Sequence, residues 1–137
     1  MLRYPRILFL TNDEEQAINM GQLLGEHVAL THATSHLDLQ ETLRTTQFDA
    51  LLCDWSLYGG TWRNVLLEIQ NHDSALPVIV LSRTGGEKEW VEVIEAGGFD
   101  LLVAPYWKAS VLGALEHATA SREARGWQQV PLQAWAG

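Results

Sequence analysis

Five short apolar runs, separated by stretches of helical periodicity, govern what this chain can fold into. They are Ile7 to Leu10, Val28 to Leu30, Ala50 to Cys53, Val78 to Leu81 and Leu101 to Val103. The runs at Ile7, Ala50 and Val78 are continuous rather than alternating, the pattern of strands buried on both faces. Such strands belong to a parallel sheet with helices on either side, so the chain is read as an α/β protein. Its 137 residues suffice for one such domain and a single architecture.

Between the runs the helical segments can be placed by their apolar stripes and ends. The first is expected over about Glu14 to Glu26, with Ala17, Met20 and Leu24 inward and Thr11-x-x-Glu14 as a capping box. The second opens at Ser35 and covers Leu37 to Arg44. The third carries Trp62, Val65, Leu66 and Ile69 at i, i+3, i+4 and i+7 and ends before Pro77. The fourth follows the capping pattern Thr84-x-x-Glu87 and stops at Gly97-Gly98. The fifth buries Val111, Ala114, Leu115 and Ala118 and runs to about Arg125, where Gly126 breaks the pattern. The expected fold is a (βα)5 unit, a doubly wound five-stranded parallel sheet of flavodoxin-like topology. Residues 1–125 form its domain, and 126–137 are a tail or linker stub whose Trp127 and Trp135 either pack back or meet a partner.

Charge and cysteine usage exclude several functions. Nine Lys and Arg against seventeen Asp and Glu give a net charge of −8, the wrong sign for phosphate backbones or anionic membranes. Direct nucleic-acid and membrane binding are therefore not expected. No apolar run approaches the roughly 20 residues that span a bilayer, and the start MLRYPRILFL lacks a signal peptide's apolar length and cleavage site. A cytoplasmic location is expected. The single cysteine, Cys53, lies within an apolar run and reads as a small core residue, not a reactive thiol.

In doubly wound sheets ligands gather outside the carboxyl ends of the strands. The residues there are Thr11, Asn12 and Asp13 after the first run, Asp54 after the third, Ser82 after the fourth, and Ala104-Pro105 after the fifth. Three segments taken in order resemble response-regulator receiver domains. Ala50 to Gly60 is similar to that family's apolar strand, phosphoacceptor aspartate and glycine-ended loop. Pro77 to Ser82 is similar to its fourth strand with a terminal hydroxyl, and Glu95 to Tyr106 to the segment that normally ends in Lys-Pro-aromatic.

The resemblance implies that Asp54 accepts a phosphoryl group, Ser82 supplies the hydroxyl that binds it, and Tyr106 is the switch aromatic. It also implies two acidic residues after the first strand to hold Mg²⁺, and a lysine to pair with the phosphoryl. Here the sequence departs from the pattern. Thr11 and Asn12 stand where the acidic pair belongs, Asp13 comes one position late, and Ala104 replaces the lysine, with Lys108 too far along to substitute. Asp13 and Asp54 are thus weak metal ligands at best, and no cofactor is firmly expected. The reading is a pseudo-receiver, a signalling module and not an enzyme, that works by protein contact with weak or absent phosphorylation. A working phospho-receiver, fed by a histidine kinase with Asp13 as makeshift ligand, is the competing reading.

Several of these residues have plainer explanations. Thr11 suits a helix N-terminus without any metal, and this is the preferred account of it. The histidines His27, His32, His36, His72 and His117 lack metal-ligand spacing and read as surface or core imidazoles. Trp90, Tyr106 and Trp107 fall on the side of the fourth helix, fifth strand and fifth helix, where the resemblance implies homodimers and contacts with a kinase or output domain; the alternative is core filling. A flavin- or cobalamin-binding domain on a similar sheet is disfavoured, because the loop Thr-Asn-Asp-Glu-Glu is too acidic for a flavin phosphate and no histidine follows Asp54 closely.

Overall fold

The computed structural model describes residues 4–57 and 60–128, with side chains through residue 124. Its elements in chain order are β1 (Arg6–Leu10), α1 (Glu14–Leu24), β2 (Ala29–Ala33), α2 (His36–Thr45), β3 (Ala50–Asp54), β4 (Ser56–Leu57), β5 (Gly60–Thr61), α3 (Trp62–His72), β6 (Val78–Ser82), α4 (Glu87–Glu95), β7 (Asp100–Val103) and α5 (Lys108–Gln128). The five long strands form one parallel sheet in the order β2-β1-β3-β6-β7. The order reverses direction at β1 and β3, which places a crevice at their carboxyl ends. This is the (βα)5 doubly wound sheet expected from the apolar runs.

Side chains divide between two cores according to strand parity. Leu8, Leu10, Leu51, Cys53, Val78, Val80 and Leu101 face Leu39 of α2, Trp62, Val65, Leu66 and Ile69 of α3, and Val93 of α4. Ile7, Phe9, Ala50, Leu52, Ile79 and Leu81 face Met20 and Leu24 of α1 and Val111, Ala114, Leu115 and Ala118 of α5. Each fully buried aliphatic contributes about 1.5 to 3 kcal/mol, so both faces hold the register. A slip of one residue would send each strand's side chains to the wrong core.

The differences from the sequence reading lie at element ends. The second strand starts at Ala29 and runs to Ala33, beyond the expected Leu30, because its outer residues alternate exposed and half-buried as an edge strand allows. α1 is capped by Asp13, whose carboxylate accepts from the Gln16 N–H at 3.3 Å; Thr11 is not its cap. α4 begins after Gly86, not Thr84, with the Glu89 carboxylate accepting from the Gly86 N–H at 2.8 Å. Its stop is where the glycines predicted it, Gly97 adopting φ +103 and the Gly98 N–H donating to the Val93 carbonyl at 2.8 Å. α5 continues through Gly126 to Gln128, so the glycine does not break it. Trp127 has no described side chain, and Trp135 lies outside the described residues. The antiparallel β4-β5 pair, within the loop that follows Asp54, had no counterpart among the expected elements.

Candidate functional site

Asp54 closes β3 at the centre of the sheet and is half-buried, with both carboxylate oxygens engaged. Oδ2 accepts from the Thr11 hydroxyl, and Oδ1 accepts from the Gln16 side-chain amide. Thr11 is fully buried where the chain leaves β1, and its Oγ1 also accepts from the Asp13 N–H at 3.0 Å. Its N–H donates to the Ala33 carbonyl at 3.1 Å, and a ring nitrogen of His32 lies 3.0 Å from its own carbonyl. Thr11 is thus part of the Asp54 site, which corrects its reading as a helix cap. Gln16 projects from the first turn of α1, a position fixed by the Asp13 cap.

Around this carboxylate stands a cleft of about 760 Å³ lined by Asn12, Asp13, Gln16, Trp55, Ser82, Arg83 and Tyr106 among others. Burial raises the Asp54 pKa above the ordinary carboxyl value, and the Asp13 charge adds to this; the Thr11 and Gln16 hydrogen bonds and the Arg83 charge act in the other direction. Asp13 itself pairs with Arg83, Nη2 to Oδ2 at 2.7 Å. Asn12 donates its side-chain amide to the Thr34 carbonyl.

The Ser82 hydroxyl, buried at the end of β6, donates to the Thr84 carbonyl and so is turned along its own loop. Tyr106 is half-buried and points inward, its hydroxyl donating to the Ser82 carbonyl at 3.1 Å. Burial, reinforced by the Asp54 charge, pushes that phenol up to about 12, so it remains a donor at neutral pH. Ala104 sits before Pro105 across a cis peptide bond and brings a methyl group where a cation was expected. Lys108 is exposed at the start of α5 and does not line the cleft.

Asp54, Ser82, Tyr106, Asn12 and Asp13 therefore meet at one cleft. Trp90 and Trp107 lie apart from it, 45% and 68% exposed, with Trp90 Nε1 donating to Asp100 at 3.0 Å. Cys53 is buried behind Asp54, and burial pushes its thiol far above the range in which a thiolate forms. Sequence reasoning missed two site residues, Gln16 and Arg83. The signal available for Arg83 was its place directly after Ser82, at a strand's carboxyl end. Trp55, beside the cleft, leans on Trp62 with ring centres 5.4 Å apart, and the Arg63 guanidinium lies 4.6 Å from the Trp62 ring centre.

Comparison with known proteins gives this geometry a family. The model for the response regulator receiver domain matches residues 7–116. The chain belongs to the response regulator receiver domain family. Among similar solved structures is a signal receiver domain of an HD domain-containing protein from Pseudomonas fluorescens Pf-5, with TM-score 0.79 and 21% identity, covering 89% of this chain and 99% of that one. The N-terminal signal receiver domain of a two-component response regulator from Bacteroides fragilis has TM-score 0.79 and 21% identity, with 85% and 98% covered. The beryllofluoride-activated NtrC4 receiver domain dimer has TM-score 0.78 and 19% identity, with 85% and 98% covered. At these identities the likeness is one of fold. A search of curated proteins finds no significant relative.

The Mg²⁺ ion implied by the family does not fit the residues present. Both Asp54 oxygens accept hydrogen bonds from neutral donors, and Asp13, the carboxylate whose charge acts on Asp54, holds a guanidinium. Thr11 and Asn12 bring no charge, and among the described residues no cluster of three His, Cys, Asp or Glu side chains is arranged to bind a metal.

Proposed function

We propose that this two-component receiver domain acts mainly through protein contact, with Asp54 in the phosphoacceptor position but weakly phosphorylated or not at all. The observation that carries this reading is the engagement of Asp54 by Thr11 and Gln16, neutral side chains in the place of charge-neutralising groups. A phosphoryl group arriving at Asp54 must displace one of these hydrogen bonds. It would then find no lysine at position 104 to balance its charge. Two unit charges about 4 Å apart at an effective dielectric near 20 interact by about 4 kcal/mol, which is roughly three orders of magnitude in rate or phosphoryl stability. Ser82 and Tyr106 keep the places of the phosphoryl-binding hydroxyl and the switch aromatic, but they are bonded to Thr84 and to the Ser82 backbone.

On this reading the contact surface is the face of α4, β7 and α5, which offers Trp90 and Trp107 to a histidine kinase, an output domain or a second copy, whereas Tyr106, expected on that face, turns inward to the Ser82 carbonyl. Exposed tryptophan supports it, because Trp is enriched among the residues that carry binding energy. Incubation with acetyl phosphate and Mg²⁺, followed by intact mass measurement, tests the proposal. The expected result is an unchanged mass in the parent protein. Near-stoichiometric gain of one phosphoryl group, absent in Asp54→Asn, would establish the phospho-receiver reading instead.

A further inference from the structure

Arg83 has no part in the resemblance to receivers, yet its guanidinium sits at the cleft's most acidic edge. The cleft lining includes four carboxylates, those of Asp13, Glu14, Glu15 and Asp54, and Arg83 is the basic residue among the described lining residues. Its Nη2 lies 2.7 Å from Asp13 Oδ2. The pair also stands between two clefts, since Asp13, Glu15, Gln16, Arg83 and Tyr106 line both the Asp54 cleft and a neighbouring one bounded by Asn19, Met20 and Leu23 of α1.

We infer that Arg83 is a tethered counter-cation: its guanidinium, held on Asp13, occupies the charge position of a divalent ion and competes with such an ion for the acidic edge. This rests on the reading of the site as one that has lost its metal, and it adds a competitor that any divalent ion at this edge would have to displace. A covalently attached cation is present at a fixed local concentration whatever the solution contains, whereas a free ion must displace it. The side chain of Arg83 is 75% exposed, so the competition is moderate. Exposed ion pairs of this kind correspond to at most about fivefold in an equilibrium constant.

The test uses Mn²⁺ as the probe, with free Mn²⁺ counted by electron paramagnetic resonance over the full chain. Asn12→Asp adds a further acidic residue, next to Asp13 and at a half-exposed position, and is compared with Asn12→Asp/Arg83→Gln and Asn12→Asp/Arg83→Lys. Removing the guanidinium is expected to tighten Mn²⁺ binding by about fivefold, whereas Arg83→Lys, which keeps the charge, leaves it near the Asn12→Asp value. A gain below about twofold for Arg83→Gln overturns the inference, as does an equal gain for Arg83→Lys. Melting curves without metal confirm that all variants are folded. Phosphorylation is read separately by mass: labelling of the parent would sink the proposed function while leaving the competition result to stand or fall alone.

Discussion

At the scale of single residues the account turns on two aspartates displaced in opposite directions. Burial, with the Asp13 charge, raises the Asp54 pKa. The hydrogen bond from Arg122, at 2.7 Å, together with its charge, lowers that of Asp73. An acid whose folded pKa lies above its unfolded value loses stability as the pH rises through that interval; one whose folded pKa lies below contributes stability that is lost as the pH falls through its own. Asp54→Asn is therefore expected to melt above the parent at neutral pH, with the difference closing as the pH falls toward the ordinary carboxyl value of 3.8. Asp73→Asn should melt below the parent at neutral pH, and its deficit should vanish in acid. Melting temperatures across the pH range check both, and a lowered melting temperature for Asp54→Asn at neutral pH would contradict the assignment. Asp54 and Ser82 were legible as positions because each closes a strand, where the backbone alone fixes location, whereas Tyr106, beyond the end of β7, was singled out only through the resemblance. Gln16 and Arg83 were not, since long side chains reach the site from a helix turn and a loop whose path depends on the folded whole. Thr11 was legible as a position but misread in role, as its hydroxyl had two plausible partners and tertiary contact selected Asp54.

At the scale of elements, strands and helices followed from apolar continuity and periodicity, and Ser35 caps α2 as expected, whereas the caps of α1 and α4 did not follow. Several adjacent polar residues can each serve as a cap, and the choice depends on which one leaves helical geometry. Hence Asp13 and Gly86 begin α1 and α4 in place of Thr11 and Thr84. The β4-β5 pair was illegible for a related reason: two-residue strands are too short to carry periodicity. The stripe on α3 was clear, and Trp62 is its largest buried member at 1% exposure. Trp62→Ala should cost about 3 to 5 kcal/mol by leaving a cavity between α3 and the sheet. Trp107→Ala, at the start of α5 and 68% exposed, should alter stability by no more than about 0.5 kcal/mol. Chemical denaturation of both variants measures the contrast, and similar losses would place Trp107 in the core and remove it from the contact face.

At the scale of the whole molecule, a doubly wound sheet delivers residues from β1, α1, β3, β6 and the segment after β7 to one crevice, so a receiver site is assembled by topology even where its charges have changed. Four carboxylates against one arginine leave that crevice acidic, and no described helix is long and apolar enough to cross a membrane. The central claim of the proposed function is that Asp54 is held by neutral donors and takes little or no part in metal-dependent phosphoryl chemistry. Beryllofluoride, a phosphoryl mimic, probes Asp54 directly. Amide resonances of the isotope-labelled protein should be followed while Mg²⁺ and beryllofluoride are added together. Thr11, Gln16, Ser82 and Tyr106 are predicted to keep their resonances unchanged, whereas saturable shifts at these four residues that vanish in Asp54→Asn would contradict the account.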